Sequence, residues 1–271
     1  MTSTEPGPPG AGVVVRTPAP AVSRALHILT LLEQADGQPL PLANIARGIG
    51  AAKSSTSNLC QVLEDGRMIA RTATGYVLGR RTVELGGSFI ARFNQIREFY
   101  NYCASAPLLG HEVVQIAMLE GTDVLYLARH EGRAPMRLSA SIGSRFPAAP
   151  TAVGNALLTL LTDVEIAARF AGPQAFPRRT EHSVQTLDAL LRKVRLARSR
   201  GYAVDDNEVH PGVYGVAVVL PPWASGEQSL AIGASLMAVQ ASEQFVTSIV
   251  EELHLAVDQL SNPLLRRAFT G

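Results

Sequence analysis

Apolar residues near the start of the chain recur at helical spacing. Steps of three and four residues place the following on one face: Val22, Ala25, Leu26, Leu29 and Leu32. This spacing predicts a helix over about residues 21–35, which Asp36-Gly37 ends. A second short helix is predicted over Leu42–Gly48, with three inward-facing residues, Ile45, Ala46 and Ile49.

A third helical pattern covers Lys53–Asp65, and a predicted hairpin follows it. We expect the buried side of this helix to carry Leu59, Val62 and Leu63, and Gly66 to end it in the left-handed conformation. Short strands at 68–71 and 76–78 flank a tight turn at Thr72–Gly75. The order of three helices and a hairpin predicts a winged helix-turn-helix over residues 21–79. A disordered Pro- and Gly-rich arm is predicted at residues 1–20, and a linker helix at 80–94.

From about residue 95 the pattern changes to strands mixed with helices. Strands are predicted near 113–119, 124–129, 136–141, 213–220 and 230–237. Helices are predicted from Gln95 to Leu109 and over 151–161, 163–170, 186–200 and 242–260. This order predicts an α+β domain with an antiparallel sheet over residues 95–262, followed by a tail at 263–271.

Composition and charge exclude several classes of protein. Of the 271 residues, 46% are hydrophobic and 17% charged, which is typical of a folded domain. Two distant cysteines, Cys60 and Cys103, exclude a disulfide framework and a cysteine zinc site. No apolar run is long enough for a membrane span, and the start lacks a signal-peptide pattern, so we expect a cytoplasmic protein without membrane contact. Residues 1–95 carry nine basic and six acidic side chains, a net +3 in a chain of net +1, which permits a partner made of nucleic acid.

The start of the third helix is composed almost wholly of small polar residues: Lys53, Ser54, Ser55, Thr56, Ser57 and Asn58. Ser, Thr and Asn have poor helix propensity, so their use on a helix needs another reason. Small hydroxyl and amide groups let a helix enter the major groove and hydrogen-bond base edges and phosphates. An extended N-cap with solvated hydroxyls is the alternative. The flanking helices and hairpin favour DNA, with Ser55–Asn58 in the groove of double-stranded operator DNA and Lys53 and Arg71 on phosphates.

The chain resembles the IclR-type transcriptional regulators over roughly residues 22–260. The resemblance rests on segments 23–32, 42–46, 53–64 and 75–79 in the first part, and on 143–158 and 198–212 in the second. It departs from the family pattern at three places, with Ala52 for Pro, Ser57-Asn58 for His-Arg, and Asn155 for Lys.

The resemblance implies an effector-binding domain of GAF-like architecture. Because a single winged helix-turn-helix reads too few base pairs, we also expect a homodimer or homotetramer. The resemblance also implies a pocket for a small organic acid effector, lined by Leu138, Phe146, Ala152, Val153, Asp205, Gly215 and Ser235. No cofactor is implied. We therefore expect a repressor whose operator affinity responds to that acid.

The lining residues indicate the chemistry of the acid. Most are apolar or small, which suits a compact body, and stacking on Phe146 favours an aromatic ring. The free amides of Thr151–Gly154, at a helix start, are expected to hold the carboxylate without Lys or Arg. Asp205, assisted by Ser235, is expected to accept a hydrogen bond from a hydroxyl. The prediction is a hydroxylated small or aromatic carboxylic acid.

The close spacing of Asp205, Asp206, Glu208 and His210 leaves other interpretations open. One is a metal site, and another, which we favour, is a strand-to-turn segment whose carboxylates cap backbone amides. An enzyme acting on a small carboxylic acid, with Asp205 and His210 as acid–base pair, is a rival function. A DNA-free interaction protein is a second rival. The polar helix and hairpin, which neither rival needs, favour the regulator.

Overall fold

The computed structural model describes residues 18–133, 140–224 and 226–261, and the chain divides into two compact units between Phe89 and Ile90. Most of the predicted strand at 136–141, and Leu138 with it, lies outside the described residues, as do most of the predicted arm and all of the predicted tail. None of the described helices is long and apolar enough to cross a membrane.

The first unit is a winged helix-turn-helix, as predicted. It contains helices α1 (Pro20–Gln34), α2 (Leu42–Gly48) and α3 (Lys53–Asp65), then strands β1 (Ile69–Arg71) and β2 (Tyr76–Leu78), which pair antiparallel. Its core joins one or two side chains from each element: Ile28, Leu32, Ile45, Ile49, Cys60, Ile69 and Tyr76. Burial of this small apolar set fixes α3 and the hairpin against α1 and α2.

Two details of α3 differ from the prediction. Val62 is 69% exposed rather than buried, because α3 turns Thr56 and Cys60, four residues apart, toward the core. A residue two positions after Cys60 then points to the opposite side. Gly66 is right-handed, with φ of −74°, and the left-handed residue that ends the helix is Arg67, with φ of 58°.

The linker helix is shorter than predicted, and the helix predicted from Gln95 follows it as a separate element. Helix α4 spans Arg81–Ile90, and a separate helix α5 spans Asn94–Ser105, with residues 91–93 outside both. Helix α4 has no buried residue, whereas α5 buries Ile96, Phe99 and Cys103 in the core of the second unit. That core sets the direction of α5, and the linker helix ends at Ile90 rather than near residue 94.

The second unit is built on one antiparallel sheet of six strands, which confirms the predicted α+β class. The strands are β3 (Val113–Glu120), β4 (Asp123–Glu131), β5 (Arg145–Pro147), β6 (Ala203–Asp206), β7 (Val213–Leu220) and β8 (Leu230–Met237). Their order is β5-β4-β3-β8-β7-β6. Strands β5 and β6, three and four residues long, were not among the predicted strands.

Helices cover both faces of this sheet. Helices α6 (Ala152–Leu158), α7 (Asp163–Arg169) and α8 (Leu187–Arg200) share one apolar cluster with the sheet. Helix α5 and helix α9 (Glu243–Leu260) share a second cluster formed by the alternate side chains of the same strands. Gly201, left-handed with φ of 83°, ends α8, and the Ser242 hydroxyl caps α9, both as their sequence positions indicate.

Candidate functional sites

The first turns of α3 present a polar surface. Lys53, Ser54, Ser55 and Asn58 are exposed, and Ser57 is half-buried. Thr56 is a correction to the prediction, since its side chain is fully buried and its Oγ1 donates to the Ala52 carbonyl at 2.9 Å. A buried threonine that bonds its own helix cannot face the major groove. Its role is in the core of the first unit.

The outward face of α3 continues beyond the predicted segment. At 100° per residue, Gln61 lies on the same side as Ser54 and Asn58, away from the core. Its Nε2 donates to Asp65 Oδ1 at 2.9 Å. The exposed Val62 adjoins this face. Amide and hydroxyl groups read base edges, and an apolar side chain contacts the thymine methyl group, so both added residues have the chemistry of a DNA-reading surface.

The guanidinium of Arg71 is held at the base of the hairpin. Its Nη2 donates to the Tyr76 hydroxyl at 2.5 Å, its Cζ lies 5.1 Å from the centre of that ring, and its Nε lies 3.7 Å from Glu64 Oε2. The side chain is still more than half exposed. It presents a positive charge beside the helix, and its contact with phosphate stays a prediction.

In the second unit, the strand register gathers polar residues on one face of the sheet. Ser235 pairs with Gly215, Gly215 pairs with Asp205, and Gln115 pairs with Gly233. Because alternate residues of a strand share a face, these five lie on the side that α6 covers.

Two of these positions are glycines because α6 packs against the sheet there. A Cβ on Gly233 would stand 2.8 Å from Val153 Cγ1, and one on Gly215 would stand 3.3 Å from Ala152 Cβ. The missing side chains therefore allow the start of α6 to approach the strands.

A cavity of about 40 Å³ lies between α6 and the sheet. It is lined by the six described residues that the resemblance assigns to the effector: Phe146, Ala152, Val153, Asp205, Gly215 and Ser235. The structure adds Gln115, Tyr126 and His210 to the lining. Sequence reasoning missed Gln115 and Tyr126 because strand pairing alone brings β3 and β4 to this place. An apolar cavity that holds benzene measures about 150 Å³, so this one suits a smaller body unless its walls move.

Asp205 is the most perturbed ionisable group of the cavity. It is 6% exposed, and burial raises its pKa from 3.8 to about 7. Three influences oppose this rise: a hydrogen bond at 2.8 Å from the Glu208 amide to Asp205 Oδ1, the nearby charge of Lys193, and a hydrogen bond from the Val209 backbone. The carboxyl group is thus poised between its neutral and charged forms near neutral pH.

The other two carboxylates of the acidic segment, on Asp206 and Glu208, accept hydrogen bonds within the protein. Glu208 accepts hydrogen bonds from the Val184 amide at 3.1 Å and from Lys193 Nζ at 2.5 Å. Asp206 accepts from the Asn207 side chain at 2.7 Å. The bond from the Val184 amide is the backbone capping that the sequence favoured, whereas Lys193 and Asn207 donate from their side chains. Within the residues that the structure describes, no group of three or more His, Cys, Asp or Glu side chains is placed to hold a metal ion.

An aromatic and cationic cluster borders the cavity. The Cζ of Arg179 lies 4.7 Å from the centre of the Phe146 ring, which also makes edge-on contacts with Tyr126 and His210 at 5.7 and 6.1 Å. Burial, and then the charge of Arg179, lower the pKa of His210. Arg179 therefore occupies one face of the ring that the sequence analysis offered to an aromatic effector.

The start of α6 offers fewer free amides to a carboxylate than the sequence predicted. The Gly154 amide is already bonded to Thr151 Oγ1 at 3.1 Å. Helix α6 has only seven residues, so the summed dipole at its start is weak.

Comparison with known proteins agrees with both units. Residues 21–73 match the IclR helix-turn-helix domain, and residues 103–262 match the bacterial transcriptional regulator IclR C-terminal domain. The transcriptional regulator XynR of Escherichia coli (strain K12) is 26% identical over 247 residues, which cover 90% of this chain and 96% of XynR.

Solved structures show the same fold. The repressor BlcR of Agobacterium tumefaciens is 28% identical, with a TM-score of 0.57 over 90% of this chain and 96% of BlcR. An IclR homologue from Microbacterium hydrocarbonoxydans, described in complex with 4-hydroxybenzoate, is 22% identical, with a TM-score of 0.75 over 89% of this chain and 97% of that one. Since the C-terminal family domain alone matches more than half of the chain, the protein belongs to the IclR family of bacterial transcriptional regulators.

Proposed function

We propose that this protein is a repressor whose affinity for operator DNA is set by a small hydroxylated carboxylic acid bound between α6 and the sheet. The observation that carries the proposal is the cavity itself, where a buried carboxyl group, Asp205, stands among small and apolar walls. A buried ionisable group without full compensation is costly to stability, which favours a functional role for it.

The acid is inferred from the chemistry of the lining. Asp205 as carboxylate accepts a hydrogen bond from a hydroxyl group, and Ser235 assists it. The volume favours a short acid, and an aromatic one requires the walls to move. The Microbacterium relative, described with 4-hydroxybenzoate, supports a hydroxylated acid as the class of ligand.

The response follows from linkage between two sites. An acid that binds more tightly to the arrangement with low DNA affinity shifts the population toward it. A coupling free energy of about 1–3 kcal/mol changes operator occupancy roughly 5- to 150-fold. No turnover of the acid is part of this mechanism, and the site of action is the cytoplasm, where the DNA is.

The DNA-reading unit is expected to act as a pair or a higher multiple. One winged helix-turn-helix reads few base pairs, and a dimer reads two half-sites. Helix α1 leaves Val22 and Leu26 exposed, and α4 leaves Val83 and Leu85 exposed, which supports burial of both helices in a homodimer or homotetramer.

The test is gel retardation of the promoter DNA next to the gene, with and without glycolate, acetate, 4-hydroxybenzoate and benzoate. We expect a hydroxylated acid to release the DNA, and Asp205→Ala to bind DNA but to lose this release. Release by hydroxylated and unhydroxylated acids alike would refute the role of Asp205. Consumption of an acid by the purified protein would favour an enzyme instead.

A further inference from the structure

One polar group in the cavity wall lacks a partner although it is deeply buried. Gln115 is 5% exposed, and its Nε2 has no hydrogen-bond partner among the described residues. A buried donor without a partner costs about 1–3 kcal/mol. Because the side chain lines the cavity, a bound molecule is placed to accept this hydrogen bond.

His210 has a second unpartnered group on the same cavity. Its Nε2 is buried and makes no hydrogen bond with any described residue. With its pKa lowered, the ring is neutral near pH 7, and one of its two nitrogens carries a proton. His210 and Gln115 come from different elements, and both offer polar atoms to the same small space.

Arg179 supplies a positive charge beside these groups. Its guanidinium lies over Phe146, and no described carboxylate forms an ion pair with it. The other nearby cations are engaged, since Lys193 pairs with Glu208 and Arg129 pairs with Glu131.

We propose that Arg179 binds the carboxylate of the effector, while Gln115 Nε2 donates a hydrogen bond to its hydroxyl oxygen. The inference rests on the proposed function and extends it. A hydroxyl group accepts from Gln115 and donates to Asp205 at the same time, which a carbonyl oxygen cannot do with a charged Asp205. The carboxylate is kept away from Asp205 by repulsion and lies at the Arg179 side, where His210 Nε2 adds a hydrogen bond.

This assignment replaces the helix start as the main carboxylate site. A guanidinium forms charge-assisted, bidentate hydrogen bonds with a carboxylate, which are stronger than those from neutral amides. It also gives a function to Arg179, an exposed side chain that is held over Phe146, one of the residues that line the cavity. The ligand is therefore an acid with its hydroxyl and carboxylate groups at its two ends.

Calorimetry on the full chain tests the assignment. The probes are glycolate and 4-hydroxybenzoate, each compared with its neutral amide, glycolamide or 4-hydroxybenzamide. We expect Arg179→Gln to raise the Kd of the acid by about tenfold or more and to leave that of the amide unchanged. The matched control is Arg178→Gln, because Arg178 is the exposed neighbour whose guanidinium bonds the Thr180 carbonyl instead. It should leave both Kd values unchanged.

A second variant probes the hydroxyl end. Gln115→Met keeps the volume and removes the donor, so it should weaken the acid and the amide alike. Should this buried variant fail to fold, the exposed Arg179 variant still decides the carboxylate assignment.

The outcomes distinguish a failure of the Arg179 assignment from a failure of the proposed function. An acid that binds the wild-type chain and Arg179→Gln equally would overturn the assignment and leave the proposed function standing. An equal loss in Arg178→Gln would show a general charge effect and would also overturn it. If none of the four probes binds the wild-type chain or alters DNA retardation, both are overturned.

Discussion

Replacing Asp205 by Asn should change how the stability of the second unit depends on pH. The substitution keeps an oxygen that accepts the hydrogen bond from the Glu208 amide, now made at 2.8 Å, and removes only the ionisation. It therefore isolates the cost of charging this buried group. Lys193, Glu208, Tyr126 and His210 surround the carboxyl group and stay in place.

The sign follows from the raised pKa. A carboxyl group with a pKa of about 7 in the folded chain and 3.8 in the unfolded chain holds its proton more tightly when folded. Folding stability therefore falls as the pH rises between these two values. Between pH 5 and pH 8 the loss amounts to about 2–3 kcal/mol, and the Asn variant does not suffer it.

The assay is urea unfolding at pH 5 and pH 8, followed by the fluorescence of Trp223. This is the one tryptophan of the chain, and it lies in the second unit, so its signal reports on that unit. We expect the wild-type free energy of unfolding to fall more than that of the variant between the two pH values. Equal pH dependence in both proteins would refute the reasoning, because Asp205 would then be ionised at little cost.

Three further predictions concern DNA, assembly and packing. Asn58→Ala should change the sequence preference in DNA-binding assays, at about 1–3 kcal/mol for each lost base contact, and an unchanged preference would contradict the recognition role. Arg71→Ala should weaken binding to all DNA sequences alike and lower the slope of its salt dependence by about one. Leu26→Glu, at a side chain 60% exposed in one copy, should shift the protein toward monomers in sedimentation, and an unchanged mass would place the interface elsewhere. Gly233→Ala should destabilise the second unit by about 1–3 kcal/mol, and adding Val153→Ala should recover part of the loss, because a Cβ would stand 2.8 Å from the valine methyl group.

Much of the local structure followed from the sequence. The bounds of α2 and α3, the hairpin, and strands β7 and β8 agree with their apolar spacing, because periodicity and turn residues act over a few neighbouring positions. The resemblance to the family also led to six residues of the cavity wall. Apolar spacing, turn residues and family motifs are all present in the sequence before the chain folds.

Other features depended on the tertiary structure. The burial of Thr56 and the exposure of Val62 depend on how α3 is rotated about its axis against α1 and α2. The spacing of apolar residues along α3 does not determine that rotation. The direction of helix α5 depends on the core of the second unit, distant in sequence, which accepts its apolar face.

The polar groups of the cavity also came together only through the tertiary structure. Gln115, Arg179 and Asp205 are far apart along the chain. The pairing of β3, β8, β7 and β6 brings Gln115 and Asp205 to one cavity, and the loop before α8 places Arg179 over Phe146 in its wall. The family resemblance implied that an acidic group, Asp205, lines the ligand pocket. The raised pKa of Asp205, the unpartnered amide of Gln115 and the guanidinium over Phe146 arise from burial and from contacts between distant segments, so only the folded chain shows them.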